Sequence, residues 1–256
     1  MTFDLPQNVS QVLKTITNTG YEAYIVGGCV RDMLLCVTPF DFDITTSASP
    51  ETIKSLFEKT VDTGIRHGTV TVISGGSSFE VTTFRTDGDY KDSRHPEKVK
   101  FVSNIKEDLS RRDFTVNAMA YNDKAGLVDY FGGREDLKAK ILKTVGDPSK
   151  RFSEDALRIL RLFRFSSTLG FAIDKKALES ALTLSETLSK ISAERIAAEI
   201  KKAVCGKNVS ALSPLIKSGG LKAFGIINAD FSNIEKLPQK RLKLFAFLYE
   251  GAEDPT

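Results

Sequence analysis

The chain has no run of about twenty apolar residues, so no segment reads as a membrane span. Its first residues, MTFDLPQNVSQ, hold neither the basic nor the apolar region of a secretory signal. Cysteine is scarce. Cys29, Cys36 and Cys205 are odd in number and lack paired-ligand spacing, which argues against a disulfide framework. They read as small buried hydrophobes in a reducing compartment, so the expected location is cytoplasmic. The two histidines, His67 and His95, stand at no spacing that completes a zinc site with those cysteines. Charge of one sign is also lacking: the formal net charge is +3 over 256 residues. That excludes a bulk polycation, and any surface for nucleic acid has to be built locally. No internal repeat is found, and nothing marks a protein partner.

What is present suits a soluble globular protein of two domains, with 41% hydrophobic and 27% charged residues. Four short runs rich in Val, Ile, Thr and aromatics read as strands: 21–27, 42–46, 68–74 and 78–85. The last two form a hairpin around Gly75-Gly76. Between them, SPETIKSLFEK (49–59) has a Ser N-cap and a Pro at the first helical position. Strands and helices alternate irregularly, which predicts a small mixed sheet with flanking helices. The stretch 87–101 (DGDYKDSRHPEKVKF) is polar and reads as a mobile functional loop. After about Gly146 the pattern turns helical. Ser153 and Ser192 are the expected N-caps, and Gly170 and Gly206 lie just past helix ends. No further strand is expected, so the second half is all-α and its last helical part is only begun. The fold class is α+β.

Several constellations carry chemistry. Strand YEAYIV runs into Gly27-Gly28 and a short helix, a turn whose free amides and bare glycines suit a phosphate, although such turns are more often structural. Arg31 adds a planar fork for a phosphate. Asp41-Phe42-Asp43 opens the next strand, and a period of two puts both carboxylates on one face, about 7 Å apart. Two like charges there are costly without a cation, so they are candidate ligands for two Mg²⁺ ions clamping an attacking hydroxyl and a leaving pyrophosphate. The plain reading, two acids decorating an exposed strand, is the weaker one. Glu80, on a strand expected beside Asp43, is a candidate third carboxylate, or simply the partner of a basic neighbour. In RRDFTVNAMAY (111–121), Arg112 is suited to triphosphate charge, while Asp113 and Asn117 are suited to a ribose or a cap. DYFGGRE (129–135) reads as a structural turn.

SEDALRILRLFR places Asp155, Arg158, Arg161 and Arg164 three apart, the arginines facing a polyanion or ligand more than solvent. One carboxylate plus one guanidinium matches the donor–acceptor edge of cytosine and of adenine. Uracil and guanine present the reverse order and would leave buried groups unpaired. Asp155 and Arg158 therefore predict an enzyme that takes CTP and ATP.

Together GGCVRD, FDFDITT, DGDYKDSRHPEKV, RRDFTVNAMA, DYFGGREDL, EDALRILRLFRF and ISAERI resemble, in order and spacing, the class II tRNA nucleotidyltransferases (CCA-adding enzymes) and the related bacterial poly(A) polymerases. The resemblance covers about residues 20–205. It implies a nucleotidyltransferase catalytic head at 1–145, a helical neck with a nucleotide-selecting template at 146–206, and the start of a helical body at 207–256. It implies that Asp41 and Asp43 bind Mg²⁺. It further implies that Gly28, Arg31 and Arg112 contact phosphates or sugar, that Asp155 and Arg158 pair with the base, and that Arg161 and Arg164 complete the nucleotide site. The implied activity is addition of C, C and A to the tRNA 3′ end from CTP and ATP. An A-adding enzyme, a poly(A) polymerase and a catalytically silent RNA-binding module are the alternatives. Two departures stand out. Cys36 sits where the family usually has Gly, and much of the family's body and tail has no counterpart here.

Overall fold

The computed structural model describes residues 2–88, 99–228, 231–234, 236–237, 244 and 246–247. The interior of the expected loop (89–98) and most of the last helical stretch fall outside the described residues. The described chain divides into two compact units at Leu137/Lys138.

The first unit is a seven-stranded sheet with helices packed on it. In chain order it contains α1 (Gln7–Thr17), β1 (Ala23–Val26), α2 (Gly28–Leu34), β2 (Ile44–Thr46), α3 (Pro50–Leu56), β3 (Thr60–Gly64), β4 (Thr69–Ser74) and β5 (Ser77–Thr83). A ribbon of β6 (Arg85–Asp87) and β7 (Val99–Phe101) follows, then α4 (Ile105–Ser110), β8 (Met119–Asn122), β9 (Gly126–Asp129) and α5 (Gly133–Ala139). The sheet order is β3-β4-β5-β2-β1-β8-β9. Only β2 and β5 run parallel, so the sheet is mixed, as expected.

Burial explains which strands are central. All four residues of β1 (AYIV) and of β8 (MAYN) are buried. One cluster joins Tyr24, Val26 and Ala120 to Phe84, Ile105 and Leu109, seating α4 on the sheet. The amphipathic α1 buries Val9, Val12, Leu13 and Ile16, spaced three and four apart. Thr45, Thr46 and Thr83 are buried too; the hydroxyls of Thr46 and Thr83 donate to the backbone carbonyls of Glu22 and Ala48, while the single Thr45 proton is shared between the Thr82 carbonyl and Asp108 Oδ2, each 3.3 Å away. The hairpin turns at Gly75-Gly76 with φ of 56° and 75°, conformations that favour glycine. Ser49 caps α3, accepting from the Thr52 amide at 3.2 Å.

Several expectations need correction. Cys36 is exposed, not buried, and holds φ 57°, the left-handed region in which the family's glycine is at ease. Cys29 is buried as expected. The second unit contains β10 (Ile141–Leu142), α6 (Pro148–Glu154), α7 (Leu157–Leu169), β11 (Ala172–Ile173), α8 (Lys175–Thr183), α9 (Ala193–Val204), α10 (Ser213–Lys217) and α11 (Phe231–Ile234). Among the described residues it is helical except for β10 and β11, a two-residue parallel ribbon too short to leave a sequence signal. Ser153 caps nothing: it lies in the last turn of α6, whose N-cap is Asp147. The expected single helix breaks at Asp155, where the carboxylate accepts the Leu157 amide at 3.0 Å and competes with the helical ladder.

Two glycines mark close approaches. A Cβ at Gly206 would stand 2.8 Å from the Ser167 backbone, where α7 and α9 cross. A Cβ at Gly133 would collide with the Thr115 carbonyl and stand 3.0 Å from Met119 Cγ. Just before it, Asp129 caps α5, taking the amides of Gly133 and Arg134 at 2.9 and 2.8 Å. Gly133→Ala is therefore expected to destabilise the fold by about 1–3 kcal/mol, the usual cost of overpacking. Urea unfolding checks this, and an unchanged midpoint would refute the contact.

Candidate active site

In the first unit, β1 ends at Val26 and the chain turns at Gly27, with φ 83° and ψ −127°. The Gly27 amide donates to the Met119 carbonyl at 3.1 Å, fixing the turn against β8. α2 starts at once with Gly28. The lack of side chains lets two guanidinium groups descend on the turn. An ideal Cβ on Gly27 would be 3.0 Å from Arg112 Nη1, and one on Gly28 would be 3.6 Å from Arg31 Nη2. The positive φ and the arginine both explain why Gly27 has to be glycine.

Arg31 is buried and held by neighbours. Nη1 donates to Asn117 Oδ1 at 2.7 Å, while Nε and Nη2 donate to Asp32 Oδ1 at 2.9 and 2.7 Å. Asn117 in turn donates to Asp113 Oδ1 at 3.2 Å, the oxygen that also receives the Phe114 amide. Asp113 thus orders its own turn and, through Asn117, Arg31.

Asp41 and Asp43 precede β2, whose regular ladder starts at Ile44. The ladder still reaches back one residue, because the Val26 amide donates to the Asp43 carbonyl at 3.0 Å. The parallel register pairs Ile44 with Val81, which brings Glu80 beside Asp43. Asp43 keeps a solvent-open edge, yet its carboxyl sits above the ordinary carboxylate range. Although the residue is exposed, partial desolvation of the carboxyl by the atoms packed around it is the main cause; the Asp41 charge adds to it, Arg112 opposes it, and Glu80 adds a smaller push upward. Glu80 has no basic ion-pair partner among the described residues, so its pairing with a basic neighbour is not seen.

The donor set at this strand end is all carboxylate oxygen and its charges repel. It fits a hard divalent cation, which would relieve both the repulsion and the raised Asp43. Among the described residues, no group of three or more His, Cys, Asp or Glu is close enough to hold a metal, so Glu80 does not close a ready-made triad with Asp41 and Asp43.

A residue that carries no motif of its own organises the positive side. Asp108, in α4, is fully buried. It accepts Arg111 Nε and Nη2 at 3.0 and 2.9 Å, and Arg112 Nη2 at 3.4 Å. Burial pushes its carboxyl up, but Arg112 and Arg111 outweigh that and leave it below the usual range. Its sequence signal is only the spacing to Arg111 and Arg112, three and four residues on, which suits one helical face.

In the second unit, Asp155 and Arg158 do not pair with each other in the described contacts. Arg158 Nη1 donates to Glu154 Oε2 at 2.7 Å and to the Arg151 carbonyl at 3.2 Å. Asp155 instead meets Arg195 Nη2 at 3.5 Å, forty residues on. Arg164 donates to Glu199 Oε2 at 2.8 Å and lies over the Phe165 ring, 3.5 Å from its centroid. Arg161 also lies over Phe165, at 5.3 Å. Sequence reasoning assigned no part to Glu154 or Arg195. Arg195 lies inside ISAERI, but its partner is distant in sequence and leaves no local pattern.

The mixed sheet, the glycine turn and the acidic strand end define a polymerase-type nucleotidyltransferase head as the class. A family described as the poly A polymerase head domain matches residues 23–143, and one described as the probable RNA and SrmB-binding site of polymerase A matches 170–224. The CCA-adding enzyme of Lactobacillus delbrueckii subsp. bulgaricus is 52% identical over 197 residues, 77% of this chain and 50% of that protein. That of Lactobacillus helveticus is 55% identical over 191 residues, covering 75% and 48%. The crystal structure of the Bacillus stearothermophilus CCA-adding enzyme in complex with CTP superposes with a TM-score of 0.77 at 41% identity, over 93% of this chain and 56% of that one. The Thermotoga maritima CCA-adding enzyme complexed with tRNA gives a TM-score of 0.72 at 25% identity, over 93% and 61%. This chain belongs to the family of class II CCA-adding enzymes and poly(A) polymerase heads, whose nucleotidyltransferases typically use a divalent metal. It spans about half the length of the curated relatives it matches.

The raised Asp43 has a consequence for stability. Its folded-state pKa lies above the unfolded value, so the folded state binds the extra proton. Stability from this group is present below the unfolded pKa and is lost as pH rises through the folded one. At pH 7 without metal the ionised carboxylate is a small net cost, reduced by solvent screening because Asp43 is exposed. Asp43→Asn is expected to melt above the wild type at pH 7 in a chelator, and the gain should shrink as pH falls toward the carboxylate range. A lower melting temperature at pH 7 would contradict the charge assignment.

Proposed function

We propose that this chain carries out CCA addition, joining C, C and A to the tRNA 3′ end from CTP and ATP with no nucleic-acid template. The observation that carries this reading is the convergence at one strand end of Asp41, Asp43 and Glu80 with Arg112 and the Gly27-Gly28 turn. We assign the catalytic head to 1–145, the neck to 146–206 and the start of the helical body to 207–256, with action in the cytoplasm.

Asp41 and Asp43 would hold two Mg²⁺ ions, which when bound supply charge neutralisation and acidify the attacking hydroxyl. The terminal 3′-hydroxyl loses its proton at this site and attacks the α-phosphorus in line, and pyrophosphate leaves. Arg112 neutralises triphosphate charge from above Gly27. Gly28 permits close backbone approach, and Arg31, kept in place by Asp32 and Asn117, presents a fixed cation to the phosphates or sugar. In the second unit, Asp155 and Arg158 read the base edge. Each is steadied by a partner of opposite charge, Arg195 for the first and Glu154 for the second, so neither has to be ordered by the nucleotide. Arg161 and Arg164 complete the nucleotide site from α7.

The decisive experiment offers tRNA ending at the discriminator base, tRNA ending at CC, and an unrelated RNA, each with single nucleoside triphosphates and Mg²⁺. CTP incorporation on the first substrate is the expected result. AMP addition only to tRNA ending in CC would mark an A-adding enzyme. ATP use on any RNA would mark a poly(A) polymerase, and no turnover with intact nucleotide binding would mark a silent RNA-binding module.

Two variants separate the roles. Asp41→Ala is expected to abolish turnover, by about 10³-fold or more, while CTP still binds. Asp155→Ala is expected to relax rejection of UTP by about tenfold or more, with a smaller loss in rate with CTP. Full rejection of UTP by Asp155→Ala would remove Asp155 from the base-reading role.

A further inference from the structure

We propose that Asp108 is a positioning residue that sets the Arg112 guanidinium for the triphosphate, a role that rests on the nucleotide reading above. Asp108 has no exposed surface, so its charge is balanced by the protein alone. Its two oxygens are divided between different tasks. Oδ1 takes both Arg111 nitrogens and the Arg85 amide, at 3.0, 2.9 and 3.3 Å. Oδ2 takes the Thr45 hydroxyl at 3.3 Å and Arg112 Nη2 at 3.4 Å.

This division fixes where Arg112 can be. One terminal nitrogen is drawn to Asp108 while the other overlies Gly27. The same guanidinium acts electrostatically on Asp43. Thr45 lies in β2 just beyond Asp43, so a single carboxylate oxygen ties the cation of one element to the strand that carries the acids. Arg112 Nε is meanwhile buried with no hydrogen-bond partner among the described residues. A buried guanidinium N–H without an acceptor is a free-energy cost that an anionic oxygen would relieve. Bound at the glycine turn, a triphosphate oxygen is the acceptor of matching charge. Asp108 touches neither nucleotide nor metal in this scheme and acts through Arg112.

The test is calorimetric titration of CTP and of cytidine, with Mg²⁺, into the wild type, Asp108→Asn, Arg112→Ala and the double variant. Asp108→Asn is expected to weaken CTP about tenfold, as for loss of a charge-assisted anchor, and cytidine less than about twofold. It should raise KM for CTP more than it lowers kcat, and it should add no further loss of CTP affinity when Arg112 is already Ala. A merely structural role would weaken both ligands equally, or give additive losses in the double variant; either outcome overturns the proposal. If Asp108→Asn does not fold, Thr45→Val decides, because it removes one bond to the same oxygen. A loss of at least about twofold for CTP over cytidine supports the role, and none overturns it. A wild type that binds CTP no better than cytidine would refute the triphosphate reading itself. A wild type that prefers CTP, with Asp108→Asn unchanged, would refute only the positioning role.

Discussion

A carboxylate without exposed surface stays ionised only where cations and N–H donors surround it, and Asp108 meets that condition with two arginines, a threonine hydroxyl and a backbone amide. Much of the first unit's chemistry depends on that arrangement. The need to neutralise Asp108 keeps Arg111 and Arg112 folded back on α4. Arg112 is thereby stationed over the glycine turn, near the end of β2, and not left free in solvent. The Thr45 bond to the same carboxylate joins α4 to the acidic strand. A buried charge of this kind stabilises little by itself, but it fixes where other charges lie.

Asp43 shows the opposite shift, and the contrast is informative. Asp108 is held below the ordinary carboxylate range by the arginines beside it, whereas Asp43 is held above it by partial desolvation and by Asp41. Both carboxylates are near Arg112, so the difference comes from what else faces them. Asp108 is already compensated by protein cations. Asp43 stands among like charges, in a donor set suited to a hard cation. One acid therefore builds the site, and the other leaves a charge deficit for a ligand to fill.

In the second unit the same principle operates through arginines. Arg158 and Arg164 each meet a glutamate, and Asp155 meets Arg195. The extended conformation of Asp155 breaks the run between α6 and α7, so its side chain leaves the helical row that a three-residue spacing suggests. The break is local chemistry: a short acid bonding the amide two residues on competes with the next helical turn. Periodicity alone reads EDALRILRLFRF as continuous helix because every residue after Asp155 supports it. The edge strand β3 escaped notice for a related reason. TVDTG has little apolar content, and as an edge it needs only one ladder partner and no buried face.

The sequence by itself determined the mixed α+β character, the hairpin at Gly75-Gly76, the Ser49 cap, the glycine turn and the acidic pair that follows it. Those features rest on local rules: period-two burial, turn conformations that favour glycine, and caps that bond within four residues. It also determined, through the ordered set of motifs, the family to which the chain belongs. Tertiary structure supplied the parallel pairing of β2 with β5, which sets Glu80, already expected on a strand beside Asp43, against that residue. It alone decided the exchange of partners that gives Arg158 to Glu154 and Asp155 to Arg195, and the service of Asp108 to two arginines and Thr45 at once. The physical reason is that a charge's partner is chosen by distance and burial in three dimensions, and neither quantity is written into residue spacing once the partners lie on different elements.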